Sequence, residues 1–239
     1  MDYPKLLGPS KEGVFTIHLG NSENRIDFEY IERMHELLEK IEATEGPTAC
    51  VLGGDGKFFS NGLNIDMLMA KPKELIGSFQ RLLSRLLSFP VPVVAAVNGH
   101  AFGGGAMIAL VCDFRVMSKS RGFLCMNEVD IGLPLTPGMC AVAKSKLDRS
   151  LWTPTILGAK RWGGEECLRN RIVDLTCDPG EVLAQAQALA RKAAPKGATK
   201  AIYRGLKEEM YGEEIRLLSS GLGSATQQLT IQIKNLSKM

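Results

Sequence analysis

Apolar positions along the first half of this chain repeat with two different spacings, and the spacings take turns. Residues 14–19 alternate as a strand does. Over residues 28–41 the apolar side chains recur every third or fourth place, with charges opposite them, which predicts an amphipathic helix; residues 24–27 offer a cap. Residues 48–52, apolar after Thr48 and closed by Gly53 and Gly54, have the pattern of a buried strand. After a loop at 55–66, a second helix is predicted over 75–89, with Leu75, Ile76, Phe79, Leu82, Leu83, Leu86 and Leu87 on one side and Pro90 and Pro92 stopping it. Residues 93–97 read as another buried strand and 108–112 as a buried helix, with short strands at 113–117 and 122–125 and a loop at 127–134. Thr136 followed by Pro137 is the signature of a helix start, here a helix reaching residue 146.

The remaining chain predicts a short helix at 151–157, a helix, turn and short strand across 163–174, and helices at 180–194, 198–210 and 213–235. Strand, helix, strand in that order predicts an α/β fold of stacked β/α units. The composition becomes all-helical near residue 178, so the expected division is a core at 1–178 and a C-terminal helical region at 179–239.

Composition narrows the function classes. The 239 residues are 45% hydrophobic and 23% charged, an ordinary globular balance with ample chain for a core. A net charge of +3 is too weak to argue for nucleic acid or an acidic membrane. The longest apolar stretch, 91–97, is far short of the roughly 20 residues of a membrane span, and the first residues lack the apolar core of a signal peptide. Six cysteines lie scattered, without a paired spacing and mostly among apolar neighbours, so reduced buried thiols are expected rather than disulfides or zinc. Three dispersed histidines do not suggest a metal, and nothing calls for a metal or redox cofactor.

One stretch carries more than packing. Gly103, Gly104 and Gly105 stand consecutively between the apolar run 93–97 and the apolar run 108–112. Glycines there permit backbone angles other residues avoid and let a ligand reach the main chain. Amides at a helix start are unpaired and suit an oxygen carrying negative charge. A tight turn would need glycine too, and the spacing alone leaves both readings open. It does exclude two others: the Gly-x-Gly-x-x-Gly spacing of a dinucleotide binder is absent, and no Gly-Lys-Ser/Thr follows.

Four stretches, in this order, resemble the crotonase (enoyl-CoA hydratase/isomerase) superfamily: residues 57–65, residues 92–105, Cys112 with Asp113, and residues 127–133. Leu157 with Gly158, residues 164–166 and residues 171–174 fit the usual end of that core, and the likeness spans about residues 10–178. Within the superfamily the chain is most similar to plant-type peroxisomal Δ3,Δ2-enoyl-CoA isomerases. The resemblance implies a spiral of ββα units followed by helices that build a trimer, or a dimer of trimers. It implies a coenzyme A thioester as substrate, with coenzyme A entering only as part of it. The backbone amides of Leu63 and Gly104 would hold the thioester oxygen, and Ser60, Asn61, Gly62, Asn64 and Gly103 would contact the substrate.

Hydratases of the superfamily carry two catalytic glutamates. At the first position this chain has Met107; at the second it has Glu128. Hydration divides its work between two carboxylates, whereas moving a double bond from C3 to C2 needs one group to carry a proton from C2 to C4. The resemblance with this departure therefore implies an isomerase, with a hydratase or a non-catalytic acyl-CoA-binding protein as the alternatives. Phe59, Met107 and Leu133 are expected as an apolar wall that excludes water and raises the Glu128 pKa. Asp130 is a second candidate carboxylate, His100 a packed residue beside the turn, and Asp66 a capping or solvated one. Residues 237–239 (Ser, Lys, Met) resemble a peroxisomal address read by an import receptor.

Overall fold

A computed structural model describes residues 3–220. The first unit begins at β1 (Lys5–Leu7), which pairs antiparallel with β2 (Val14–His18). Helix α1 (Phe28–Glu42) follows, its first turn capped by Asp27, whose carboxylate accepts the Tyr30 amide at 2.8 Å. Its apolar stripe, including Ile31, Met34, Leu38 and Ile41, is buried. From there the chain repeats one pattern: a strand in a large sheet, a strand in a small one, then helix. The first repeat runs β3 (Ala49–Gly53), β4 (Phe58–Ser60), α2 (Ile65–Ala70) and α3 (Pro72–Leu87). The second runs β5 (Val93–Val97), β6 (His100–Phe102) and α4 (Gly104–Val111). The third runs β7 (Phe114–Ser118), β8 (Leu124–Cys125) and α5 (Pro137–Lys146), with Thr136 capping α5 as its sequence predicts. This is the expected ββα spiral.

Strand β9 (Leu175–Cys177) completes a six-stranded sheet in the order β1-β2-β3-β5-β7-β9, parallel except at β1. Both faces of this sheet are covered at its centre, which is why β3 and β5 are apolar throughout rather than alternating. Cys50, Leu52, Val93, Ala95 and Val97 face the main core with α1, α3 and α4. Val51, Val94, Ala96 and Val116 face a second, smaller core built with Val182, Ala186 and Ala190 of α7 (Val182–Ala193). Helix α7 thus lies beyond residue 178 yet forms part of the sheet's packing. The small sheet is β4-β6-β8, all parallel.

Several elements depart from the sequence expectation. Strands β4 and β6 and helix α2 fall inside stretches read as loop or turn, because three to six residues cannot display a period. Helix α3 begins three residues earlier than expected, at Pro72. The expected helix at 151–157 is a 3-10 turn (Arg149–Leu151) followed by a π-helical turn (Thr153–Leu157) containing Pro154. The short strand expected by residue 174 begins after it, after α6 (Gly164–Arg169). Helices α8 (Lys200–Met210) and α9 (Gly212–Ser219) close the described chain; the later part of the 213–235 helix and residues 237–239 lie outside the described residues. All six cysteines are unbridged, and Cys50, Cys112, Cys125 and Cys167 are buried. Among the described residues no helix is long and apolar enough to cross a membrane.

Candidate active site

The small sheet brings the site together. Its three strands run parallel, and the segment leaving the C-terminal end of each supplies one functional group. Leu63 follows β4 by three residues, Gly104 follows β6 by two, and Glu128 follows β8 by three. Neighbouring strands lie about 4.8 Å apart. The order β4-β6-β8 therefore sets these groups side by side although they are far apart in sequence.

Leu63 presents its amide because its neighbours are committed elsewhere. The segment 61–64 runs as a parallel bridge against residues 23–26: Asn61 donates to the Glu23 carbonyl at 2.9 Å, Gly62 accepts from Ile26 at 2.9 Å, and Asn64 donates to Ile26 at 2.8 Å. Amides alternate sides along an extended chain, so the Leu63 N–H turns away from that bridge. Gly104 is the first residue of α4 and has no intrahelical acceptor. Among the described residues neither amide has an acceptor. They face the same space: a methyl placed on Gly104 would lie 3.5 Å from the Leu63 nitrogen, and one on Gly62 would lie 3.3 Å from the Gly104 nitrogen. Gly62 at φ +78° and Gly103 at φ +50° hold the two turns in the left-handed region that glycine tolerates.

Glu128 closes the third side. A methyl on Gly103 would lie 3.6 Å from Glu128 Oε1 and 3.5 Å from Asn127 Oδ1. The loop is tied by hydrogen bonds from Asp130 and Ile131 to the Asn127 carbonyl, at 3.1 and 3.3 Å, and from Leu133 to the Glu128 carbonyl at 2.9 Å. Burial pushes the Glu128 carboxyl up from 4.5 to about 7, a shift that its own backbone amide opposes. Its Oε2 is buried and has no hydrogen-bond partner among the described residues. A buried polar atom left unpaired is costly, and such atoms mark places where a ligand completes the bonding.

These groups open on a cavity of about 230 Å³. Its polar side is Asn61, Gly62, Leu63, Gly103, Gly104, Asn127 and Glu128. Its apolar side comes from α2 and α3 (Leu68, Ile76, Phe79), from Ile131, Leu133 and Leu135 of the loop, and from Met139 of α5. Glu128 is the one carboxylate among the described residues that line it. Asn61, Gly62, Leu63, Gly103, Gly104 and Glu128, all expected from the resemblance, are thus brought together.

Other expected site residues lie elsewhere. Ser60 does not line the cavity: it is buried, donates to the Asn24 carbonyl at 2.8 Å and accepts from the Gly62 amide at 3.3 Å, so it braces the loop. Asn64 caps α2 by accepting the Met67 amide at 3.0 Å and faces a neighbouring cleft. Of the expected apolar wall only Leu133 lines the cavity; Phe59 and Met107 are wholly buried in the core, and Phe79, Leu68, Ile76 and Met139 take their place. Asp130 is exposed and outside the lining. His100 packs on the small sheet, its ring centroid 5.1 Å from that of Phe102 and 5.3 Å from that of Phe58.

Arg25 is a site residue the sequence did not reveal. Its guanidinium reaches the carbonyls of Asn61 and Leu63, each at 3.4 Å, while pairing with Glu23 at 2.6 Å. It lines both this cavity and the neighbouring cleft. In the sequence it is one polar residue among several before α1.

Comparison with known proteins places the chain in a family. The family model described as enoyl-CoA hydratase/isomerase matches residues 9–233. The chain is 33% identical over 211 residues to enoyl-CoA delta isomerase 3 of Arabidopsis thaliana, covering 83% of this chain and 88% of that one. It is 31% identical to the plant's peroxisomal enoyl-CoA delta isomerase 2, over 81% of this chain and 86% of the other. The structure of a probable enoyl-CoA hydratase from Mycobacterium tuberculosis H37Rv superposes with a TM-score of 0.85 over 100% of both chains, at 22% identity, a likeness of fold.

Proposed function

The chain belongs to the enoyl-CoA hydratase/isomerase family, and from that premise we propose that it is a Δ3,Δ2-enoyl-CoA isomerase, converting 3-enoyl-CoA to trans-2-enoyl-CoA in the oxidation of unsaturated fatty acids. The observation that carries this reading is that, among the described residues, one carboxylate lines the cavity together with two amides that have no acceptor. In the proposed reaction the Glu128 carboxylate takes a proton from C2 of the acyl chain. The C2–H electron pair moves into conjugation and its charge collects on the thioester oxygen, which the Leu63 and Gly104 amides hold. Protonated Glu128 then returns the proton to C4, the electrons settle between C2 and C3, and the carboxylate is regenerated. A pKa of about 7 suits a group that must both accept and deliver a proton near neutrality. Preorganised amides aimed at the developing oxyanion each contribute on the order of 10²–10³ in rate.

Met107 supports isomerisation over hydration. It is wholly buried and does not reach the cavity, so no second carboxylate stands there to activate water. The test follows absorbance of the conjugated thioester with a 3-enoyl-CoA and, separately, a 2-enoyl-CoA. Conjugation should appear from the first, persist in the second, and Glu128→Gln should slow the first by about 10²–10⁴. Loss of conjugation from the 2-enoyl-CoA would make the protein a hydratase; full isomerase activity in Glu128→Gln would refute the role of that residue.

We also propose that it works as a homotrimer, and in the peroxisome, as the name of one plant relative states for that protein. A fluorescent fusion that stays diffuse in cells with labelled peroxisomes would refute the localisation.

A further inference from the structure

The inner end of the cavity holds an unexpected polar seam. Helix α3 buries an apolar face, yet Gln80, next to Phe79, is buried on it with no exposed surface. Thr136, at the start of α5, is 1% exposed and lines the cavity. Its hydroxyl donates to Gln80 Oε1 at 2.6 Å and accepts the Met139 amide at 3.2 Å. One hydroxyl thereby caps α5 and fastens it to α3, behind the apolar walls formed by Ile76, Phe79 and Met139. The opposite end is open: Ile65 and Ile131, which line the cavity, are 45% and 41% exposed.

We propose that the Gln80–Thr136 seam ends the acyl-chain subsite and restricts the site to short and medium chains. The inference rests on the acyl-thioester reading of the cavity and adds its chain-length class. A longer chain must either part α3 from α5, breaking the buried Thr136–Gln80 hydrogen bond, or fold back towards the mouth; both are unfavourable.

Binding tests this without turnover, so its failure can be told from failure of the isomerase reading. Dissociation constants of saturated acyl-CoAs from four to sixteen carbons are measured by calorimetry with the full chain. Affinity should rise about fourfold per methylene over the short chains and stop rising before twelve carbons. Gln80→Ala, which shortens the side chain that closes the seam, should move the stopping point at least two carbons longer. Ile76→Phe, which fills the subsite, should move it at least two carbons shorter, and decides alone if the first variant does not fold. A plateau that moves as described in a protein without isomerase activity keeps the ruler and discards the reaction. A constant slope through twelve carbons, an unmoved plateau in the folded variants, or no dependence on chain length would overturn the proposal.

Discussion

The carboxyl of Glu128 is buried, with one oxygen unpartnered among the described residues, and this arrangement acts on stability as well as chemistry. Its folded pKa of about 7 lies above the ordinary 4.5, so between those values the folded chain binds more protons than the unfolded one. Stability from this group therefore falls as pH rises from about 4.5 to about 7 and stays lowered above that. The full difference is up to about 3 kcal/mol. Glu128→Gln should accordingly stabilise the protein near pH 8 and have little effect near pH 4, as read by urea unfolding at both. The same titration gives kcat/KM an acid limb: it should fall tenfold per pH unit below about 7 in wild type, because the base must be ionised. A stability difference that is the same at both pH values would show that Glu128 is not held protonated by burial. At this scale the sequence disclosed the residue only through the family motif. A lone glutamate in a polar loop carries no local signal of burial, since residues that line the cavity with it, such as Leu68 and Phe79, come from other elements.

Among elements, the helices were the most legible. The seven apolar residues of α3 and the Thr136–Pro137 start of α5 announce themselves, and α3 buries the side its period predicts. The small sheet was not legible from period, because β4 and β6 have three residues each and β8 two. Their pairing is long-range, so only neighbours in space reveal them. The docking of α8 was equally hidden. Lys207 is 4% exposed and pairs with Asp113 at 2.8 Å, while the same carboxylate accepts the Val93 amide at 2.8 Å at the start of β5. A helix whose sequence reads as polar surface is thereby fastened to the central sheet. Removing one partner of a buried pair strands the other charge and costs about 3–5 kcal/mol. Lys207→Ala should lose that much in chemical denaturation, whereas a loss below about 1 kcal/mol would mean the pair behaves as a surface bridge.

For the whole molecule, the exposed side of α8 sets the expectation for assembly. Ile202, Leu206 and Met210 stand four residues apart and are 65%, 60% and 66% exposed, an apolar stripe with no cover among the described residues. If these side chains meet another copy, Leu206→Glu should convert the proposed trimer to a monomer in light scattering; a monomeric wild type would refute the trimer. The sequence by itself determined the alternation of strand and helix, the all-round apolar strands of a sheet covered on both faces, and the family that supplies the chemistry. Each is written in local pattern or in ordered motifs, where neighbours along the chain are sufficient. The tertiary structure alone decided which side chains reach the cavity: it placed Ser60, Phe59 and Met107 behind the lining, turned Asn64 to the neighbouring cleft and brought Arg25, Phe79 and Met139 into the cavity wall. It did so because the ends of three parallel strands, rather than any run of sequence, define the site, and small changes in direction at those ends decide which atoms face the substrate.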